Sequence, residues 1–186
     1  MEDVGVRFLD QAMDTSIVFL EYGCGGSTLF AATKKNIPYI ISVDSDKNWS
    51  DRVRSLMPKT CISHIKHVDI GPVGEWGKPI DLSGTKNYFR YPSEPWKISR
   101  KESLIPDTIL IDGRFRVACF LYSLLNARVG TRIIFDDYFN RPFYFEVEKF
   151  CSVNSQHGRL AEFIVTKNFN YSDLTLAFAK YSVDWR

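Results

Sequence analysis

The sequence lacks the features that mark membrane-spanning, secreted or zinc-binding chains. No apolar run reaches the roughly 18 residues that a membrane span requires, and residues 1–14 carry charges without the continuous apolar core of a secretion signal. The four cysteines, at positions 24, 61, 119 and 151, form no CxxC pair. We therefore expect a cytoplasmic protein with reduced thiols, no zinc site and no membrane partner.

An excess of charge of one sign is also missing. The 186 residues include 24 Lys and Arg against 22 Asp and Glu, which gives a formal net charge of +2. Binding to nucleic acid or to an anionic membrane surface is favoured by a larger positive excess, so the composition argues against both partners. The length is that of one ordinary domain, and we predict that residues 1–186 form a single domain.

Short apolar runs alternate with helical patterns along most of the chain. They predict strands at 16–21, 39–44, 61–69, 107–112 and 131–137, and helices at 27–36, 46–57, 115–127 and 142–151. Segments 159–167 and 174–181 predict a terminal antiparallel hairpin. The alternation is typical of an α/β fold, a three-layer Rossmann-like arrangement with a mostly parallel sheet.

Residues 70–103 interrupt this alternation. The segment is rich in Gly, Pro and aromatic residues and shows no clear period. It is too long for a plain connection, and we predict a lid or acceptor-binding segment. Its interleaved aromatic and basic residues also suit single-stranded nucleic acid, which the small net charge disfavours, and a plain packing loop remains a third interpretation.

Acidic residues recur where the predicted strands end. They are Glu21, Asp44, Asp69, Asp112, Asp136 and Asp137. In an open α/β sheet, ligands bind outside the carboxyl ends of the strands. Burying several like charges together is costly unless they find partners, so this convergence predicts a functional site at that edge.

The glycine-rich stretch after the first strand, Gly23-Cys24-Gly25-Gly26-Ser27-Thr28, has two competing interpretations. A dinucleotide fingerprint needs a third glycine where Thr28 stands, and Glu21 would point a negative charge at the phosphates. A purely structural interpretation is a tight strand-to-helix turn with Ser27 as the helix cap. A ligand with a cationic or amino group suits Glu21 better than a pyrophosphate does.

The pattern E-x-G-x-G-G-S-T, with Asp44 ending the next strand, resembles the class I S-adenosylmethionine-dependent methyltransferases. The resemblance implies a seven-stranded sheet with its last strand inserted antiparallel. It also implies roles: Asp44 would hold the ribose hydroxyls and Asp69 would approach the adenine. The cofactor-binding residues implied are Glu21, Gly23, Cys24, Gly25, Gly26, Ser27, Asp44, Asp69 and Asp112.

Asp112, Asp136 and Asp137 end two strands that should be neighbours, and three carboxylates at one point repel unless a cation separates them. The arrangement is similar to metal-dependent O-methyltransferases related to the catechol enzyme, which implies that these residues ligate Mg²⁺ or Mn²⁺. In the alternative interpretation, Asp137 caps a helix and Asp112 only meets the cofactor's amino group. The predicted catalytic residues are Asp112, Asp136 and His67.

The lysine base of the catechol type is absent after Asp112, where Arg114 and Arg116 stand instead. Arginine stays protonated and cannot act as a base. The two arginines either bind an anionic group of the acceptor or balance the nearby carboxylates.

These observations predict methyl transfer from S-adenosylmethionine to a small-molecule acceptor, with oxygen as the expected atom. A non-catalytic module that binds S-adenosylmethionine or a nucleotide, and acts in protein interaction or sensing, is the alternative. A nicotinamide oxidoreductase is a third hypothesis, which Thr28 and Glu21 disfavour.

Overall fold

A computed structural model describes residues 1–186 and places seven strands in one sheet. The strands are β1 (Val18–Tyr22), β2 (Tyr39–Asp44), β3 (Ile62–His67), β4 (Thr108–Ile111), β5 (Arg132–Phe135), β6 (Ser155–His157) and β7 (Leu160–Ile164). Their order is β3-β2-β1-β4-β5-β7-β6. The first five are parallel, and β7 pairs antiparallel with β5 and with β6. The predicted fold class is confirmed.

Six α-helices cover the two faces of this sheet. They are α1 (Asp3–Met13), α2 (Gly26–Ala31), α3 (Lys47–Leu56), α4 (Arg90–Lys101), α5 (Arg116–Asn126) and α6 (Tyr171–Tyr181). Apolar side chains of α1, α2 and α3 share one core with the sheet, and those of α4, α5 and α6 share the other. None of these helices is both long and apolar enough to cross a membrane.

Strand β1 shows why the central strands carry apolar residues on both faces. Phe19 points into the core beneath α1 to α3, whereas Leu20 and Tyr22 point into the core beneath α4 and α5. Since successive side chains of a strand alternate between faces, a strand covered on both sides loses the polar alternation of an exposed one. The exception on β1 is Glu21, which is fully buried.

The predicted terminal hairpin exists, but its strands differ from those predicted. Segment 159–167 contains β7, whose hairpin partner is the three-residue strand β6 rather than 174–181. Segment 174–181 lies in α6, which Asn170 caps by accepting hydrogen bonds from the Ser172 and Asp173 backbone. Leu174, Ala177 and Phe178 recur at helical spacing and pack toward α5. Burial of this helical face outweighs the preference of the segment's residues for a strand.

Segment 70–103 also differs from its prediction in part. Its second half is α4, which packs on β1 and β2 as an ordinary layer helix. Tyr91 and Trp96 are buried in the core, and the Trp96 indole donates to the Tyr22 hydroxyl at 2.9 Å. Pro92 and Pro95 obscured the helical pattern in the sequence. Residues 70–89 contain no α-helix or strand, only short 3₁₀ turns at Glu75–Gly77 and Thr85–Asn87.

Three further elements were missed or misjudged. Helix α1 was not predicted, α2 ends at Ala31 rather than at residue 36, and the helix expected at 142–151 is a 3₁₀ helix over Pro142–Lys149. Short helices depend on packing rather than on propensity. Their limits were therefore decided by the neighbouring elements.

The loops after β1 and β4 touch through two glycines. A Cβ atom on Gly113 would lie 2.8 Å from the Gly23 nitrogen and 2.9 Å from the Tyr22 carbonyl carbon, and it would also clash with the Tyr91 hydroxyl. Gly23 itself has a φ of 97°, a left-handed conformation that side chains rarely adopt. The two strand ends can approach this closely only because neither loop carries a side chain there.

We expect Gly113→Ala to lower the free energy of unfolding by about 1–3 kcal/mol, because the added methyl group has no space. Gly26→Ala is the matched control: a Cβ there meets nothing within 4 Å, and alanine favours a helix over glycine by up to about 1 kcal/mol. Urea denaturation of both variants measures the difference. Equal stability of Gly113→Ala and the wild type would show that the loops are not in the contact described.

Candidate functional site

A cleft of about 730 Å³ opens at the carboxyl ends of β1, β2, β4 and β5. The backbone of the glycine-rich loop, Gly23 to Ser27, forms its floor on one side. Its other lining side chains include Asp44, Trp49, Trp76, Lys78, Tyr91, Asp112, Arg114, Arg116, Asp136, Asp137, Arg141 and Arg159. This is the edge of the sheet at which the sequence predicted a site.

The Glu21 carboxylate lies beneath the glycine-rich loop and does not line the cleft. It accepts hydrogen bonds from the hydroxyl groups of Ser27 and Thr28, and from Ser42 of β2 at 3.0 Å. The Thr28 hydroxyl in turn accepts the Gly25 backbone N–H at 2.8 Å. Glu21, which was expected among the cofactor-binding residues, therefore supports the glycine-rich loop from below.

Asp44 ends β2 and lines the cleft at the far side of the glycine-rich loop. Its Oδ1 accepts the Asp46 backbone N–H at 2.8 Å, and Asp46 caps α3 by accepting the Trp49 N–H at 3.0 Å. The Trp49 indole then donates to the Cys24 carbonyl at 2.6 Å. These contacts join the end of β2, the start of α3 and the glycine-rich loop into one wall.

Residues 72–80 form the rim of the cleft above Asp44. The segment folds back on itself through the backbone bonds Gly74 N–H to Lys78 O and Ile80 N–H to Pro72 O. The Ser45 hydroxyl donates to the Gly77 carbonyl at 2.8 Å and fastens the rim to β2. Trp76 stands on this rim with 82% of its surface exposed. An indole in that position is available to cover a ligand.

Three acidic residues lie on the opposite side of the cleft, each beside a cation. Asp112 accepts from Arg116 at 3.0 Å, and Asp137 lies within 4 Å of Arg116, Arg141 and Arg159. The Asp136 carboxylate lies 3.7 Å from the Met1 amino group.

The metal-ligand set expected from Asp112, Asp136 and Asp137 is therefore not assembled. No group of three acidic, histidine or cysteine side chains in the chain is placed to hold a metal ion. The physical reason is that guanidinium groups supply the positive charge that the sequence-based argument assigned to Mg²⁺ or Mn²⁺. Asp137 does not cap a helix either, because its carboxylate is occupied by arginines.

Three of the five non-glycine residues with a left-handed backbone lie in or beside the cleft. Trp76, Phe115 and Asp137 have positive φ angles of 60°, 53° and 57° although none is glycine. Trp76 and Asp137 line the cleft, and Phe115 separates Arg114 from Arg116. Such conformations cost of order 1–3 kcal/mol each and persist where the surrounding structure enforces them, most often at functional sites.

Most of the residues expected to bind cofactor line the cleft, and three predicted site residues do not: Glu21 under the loop, and Asp69 and His67. Gly23, Cys24, Gly25, Gly26, Ser27, Asp44 and Asp112 are in its wall. Asp69 is exposed and accepts the Gly71 N–H at 2.9 Å, and His67 ends β3, the strand at the edge of the sheet. Both lie outside the cleft because β3 does not contribute to it.

Trp49, Arg141 and Arg159 were missed in the sequence. Trp49 lies in α3, where its side chain is 43% exposed and lines the cleft. Arg141 follows β5 in the chain, and Arg159 lies in the turn of the hairpin. No motif marks these arginines, since only the sheet order brings the hairpin beside β5.

Burial changes the acidity of several groups in the site. It raises the pKa of Asp44 to about 6 and that of Asp112 to about 6, in the second case against the opposing effect of Arg116. Burial also raises the pKa of the Cys24 thiol far above its usual value, which makes this cysteine a poor nucleophile. Asp112 can thus take up or release a proton near neutral pH.

Glu21 gives a pH-dependent signature of the loop anchor. Burial raises the pKa of its carboxyl from 4.5 to about 7. The folded state therefore binds this proton more tightly than the unfolded state does. Protonation of Glu21 contributes its full amount to the free energy of unfolding below pH 4.5, and this contribution is lost as the pH rises to about 7.

We expect Glu21→Gln to gain about 2–4 kcal/mol of stability relative to the wild type between pH 4.5 and pH 8, because only the wild type must ionise a buried group. Denaturant unfolding at several pH values measures this difference. Glu102→Gln, a change at an exposed residue after α4, is the control and should run parallel to the wild type. If the free energy of unfolding of Glu21→Gln changed with pH in the same way as that of the wild type, the raised pKa of Glu21 would be contradicted.

No protein-family model matches the chain, and no curated sequence does. Among solved structures, the cofactor-bound Rv0187 from MTB is 14% identical with a TM-score of 0.55, covering 90% of this chain and 82% of its own. A TehB-like S-adenosylmethionine-dependent methyltransferase from Corynebacterium glutamicum is 11% identical with a TM-score of 0.51, covering 90% and 89%. These two likenesses establish the fold.

A methyltransferase-like protein (spo2022) from Silicibacter pomeroyi DSS-3 is much more similar. It is 30% identical, the match covers 99% of this chain and 96% of that one, and the TM-score is 0.89. Together with the glycine-rich loop, the acid at the end of β2 and the sheet order, this similarity assigns the family. The chain belongs to the family of this methyltransferase-like protein and has the fold of the class I S-adenosylmethionine-dependent methyltransferases.

Proposed function

We propose that the protein methylates an oxygen atom of a small, anionic acceptor molecule, with Asp112 as the proton acceptor. The observation that carries this proposal is that one cleft contains both the glycine-rich loop with Asp44 and, across it, the protonatable Asp112. The glycine-rich loop and Asp44 suit the nucleoside of the cofactor, and Asp112 suits removal of a hydroxyl proton from the acceptor.

The residues of the cleft fit S-adenosylmethionine. Hydrogen bonds occupy only Oδ1 of Asp44, so its Oδ2 can accept from the ribose hydroxyl groups. Gly25 and Gly26 leave open space above the loop: a Cβ on Gly25 would meet only Trp49, at 3.8 Å, and one on Gly26 would meet nothing. Trp49 and Trp76 supply flat apolar surfaces on the same side as Asp44.

When bound, this cofactor supplies an electrophilic methyl group on a sulfonium. The chain's contribution is to place the acceptor oxygen in line with that methyl group, to exclude water and to take up the acceptor's proton. Arg116 fixes Asp112 by donating both to its carboxylate and to its backbone carbonyl, each at 3.0 Å. A carboxylate held in this way can accept a proton without first reorienting.

Release of S-adenosylhomocysteine in the presence of candidate hydroxyl compounds tests the proposed function. We expect turnover with at least one anionic hydroxyl compound and an unchanged rate in excess EDTA, because the carboxylates of the cleft are balanced by arginines. Binding of S-adenosylhomocysteine without turnover of any acceptor would favour the non-catalytic module. Loss of activity in EDTA with recovery in Mg²⁺ would restore the metal hypothesis.

Asp44→Asn is expected to weaken binding of S-adenosylhomocysteine by about 1–3 kcal/mol, since a charged acceptor of two hydroxyl groups is lost. Isothermal titration calorimetry above pH 7, where Asp44 is ionised, measures the effect. Asp51→Asn, on the outer surface of α3 and paired with Lys47 and Arg54, is the control with unchanged affinity. Equal affinities for Asp44→Asn and the wild type would remove Asp44 from the cofactor site.

The proposed base predicts a pH profile. Below about pH 6 the Asp112 carboxyl is protonated and cannot accept a proton, so kcat/KM should rise with pH and level off above that value. Asp112→Asn should lower kcat by about 10²–10⁴-fold and remove this limb, which a purely structural role would not do. A variant that keeps both rate and profile would show that another group takes the proton.

A further inference from the structure

Arg114 differs from the other arginines of the cleft in having no counter-ion. Arg116, Arg141 and Arg159 each lie within 4 Å of a carboxylate. The guanidinium of Arg114 forms no ion pair and no hydrogen bond with any residue of the chain, yet it is half-buried and lines the cleft. Moving a charged group out of water without pairing it with an opposite charge is unfavourable. In the free protein the Arg114 guanidinium therefore lacks a counter-ion.

The position of Arg114 is fixed by its backbone. The preceding residue, Gly113, is packed against Gly23, and the Arg114 N–H donates to the buried Tyr91 hydroxyl at 3.4 Å. The carbonyl of Arg114 accepts the Cys119 thiol at 3.4 Å. The residue cannot retreat from the cleft without breaking the contact between the β1 and β4 loops.

The surroundings of Arg114 leave it short of negative charge. Burial lowers the pKa of its guanidinium, and the neighbouring Arg116 lowers it further. Of the carboxylates that share the cleft, Asp112 is paired with Arg116, and Asp44 forms no ion pair with Arg114. Lys78 on the rim is a second cation of the cleft without a carboxylate partner. An anionic group of a ligand can therefore reach Arg114 without displacing a residue of the chain.

We propose that Arg114 binds a carboxylate or phosphate group of the methyl acceptor and so restricts the protein to anionic acceptors; this rests on the proposed function. S-adenosylmethionine carries a sulfonium, an ammonium and one carboxylate, so it adds a net positive charge to a cleft that already holds an unpaired guanidinium. An anionic acceptor neutralises both. The planar guanidinium suits two-point binding of either anion.

The cofactor's own carboxylate is the other source of this chemistry, and calorimetry distinguishes the two. Wild type, Arg114→Gln and Arg114→Lys are first titrated with S-adenosylhomocysteine. Each protein, saturated with that compound, is then titrated with benzoate, with phenyl phosphate and with neutral benzyl alcohol. Arg128→Gln, an exposed arginine at the opposite end of the sheet, is the matched control.

We expect the wild-type complex to bind benzoate or phenyl phosphate more tightly than benzyl alcohol. Arg114→Gln should lose at least about tenfold of that anion affinity, Arg114→Lys should lose less, and Arg128→Gln none, while affinity for S-adenosylhomocysteine stays within about twofold in all variants. Arg114→Lys retains the charge and serves if Arg114→Gln folds poorly.

Three results would overturn the inference. They are equal affinity of the wild-type complex for the anions and for benzyl alcohol, unchanged anion affinity in both Arg114 variants, and weakened S-adenosylhomocysteine binding with anion affinity intact. The last result would assign Arg114 to the cofactor's carboxylate. Failure of the wild type to bind S-adenosylhomocysteine at all would instead contradict the proposed function.

Discussion

The buried Glu21 carboxylate is the interaction on which the cleft depends. It lies in the middle of the sheet, between the β1 backbone and the first turn of α2, and it accepts hydrogen bonds from three hydroxyl groups, two at the start of α2 and one on β2. A loop of consecutive glycines has little conformational preference of its own. The Thr28 hydroxyl donates to Glu21 and accepts the Gly25 N–H, so Glu21 fixes the conformation of the loop. The cleft above the loop is open for a ligand.

Charge is arranged differently on the two sides of this cleft. On the β2 side, Asp44 is held by backbone groups and keeps one oxygen available, which suits a neutral, hydroxyl-bearing partner. On the β4 and β5 side, arginines from α5, the loop after β5 and the β6–β7 turn gather around Asp112 and Asp137. Guanidinium groups supply the positive charge that a divalent cation was predicted to supply, so the repulsion among these carboxylates is relieved by side chains of the chain itself.

Much of the fold followed from patterns that are local in the sequence. Buried strands such as Tyr39–Asp44 are continuous apolar runs, and their position in the chain was predicted to within a residue or two. The α4 and α6 helices were not recognised, because two prolines interrupt one and β-favouring residues fill the other. In both, apolar side chains at helical spacing pack on a neighbouring element, and this long-range burial outweighs local propensity.

The candidate site divides in the same way. The sequence by itself determined the glycine-rich loop, Asp44 and Asp112, because a tight turn and an acid at a strand end are requirements that adjacent residues express. Only the tertiary structure decided that Glu21 lies under the loop, that Asp69 and His67 lie outside the cleft, and that Arg141 and Arg159 join Asp137. These outcomes depend on the order of strands in the sheet and on which charged residues meet across it. Both are set by contacts between residues far apart in the chain, so no short stretch of sequence reveals them.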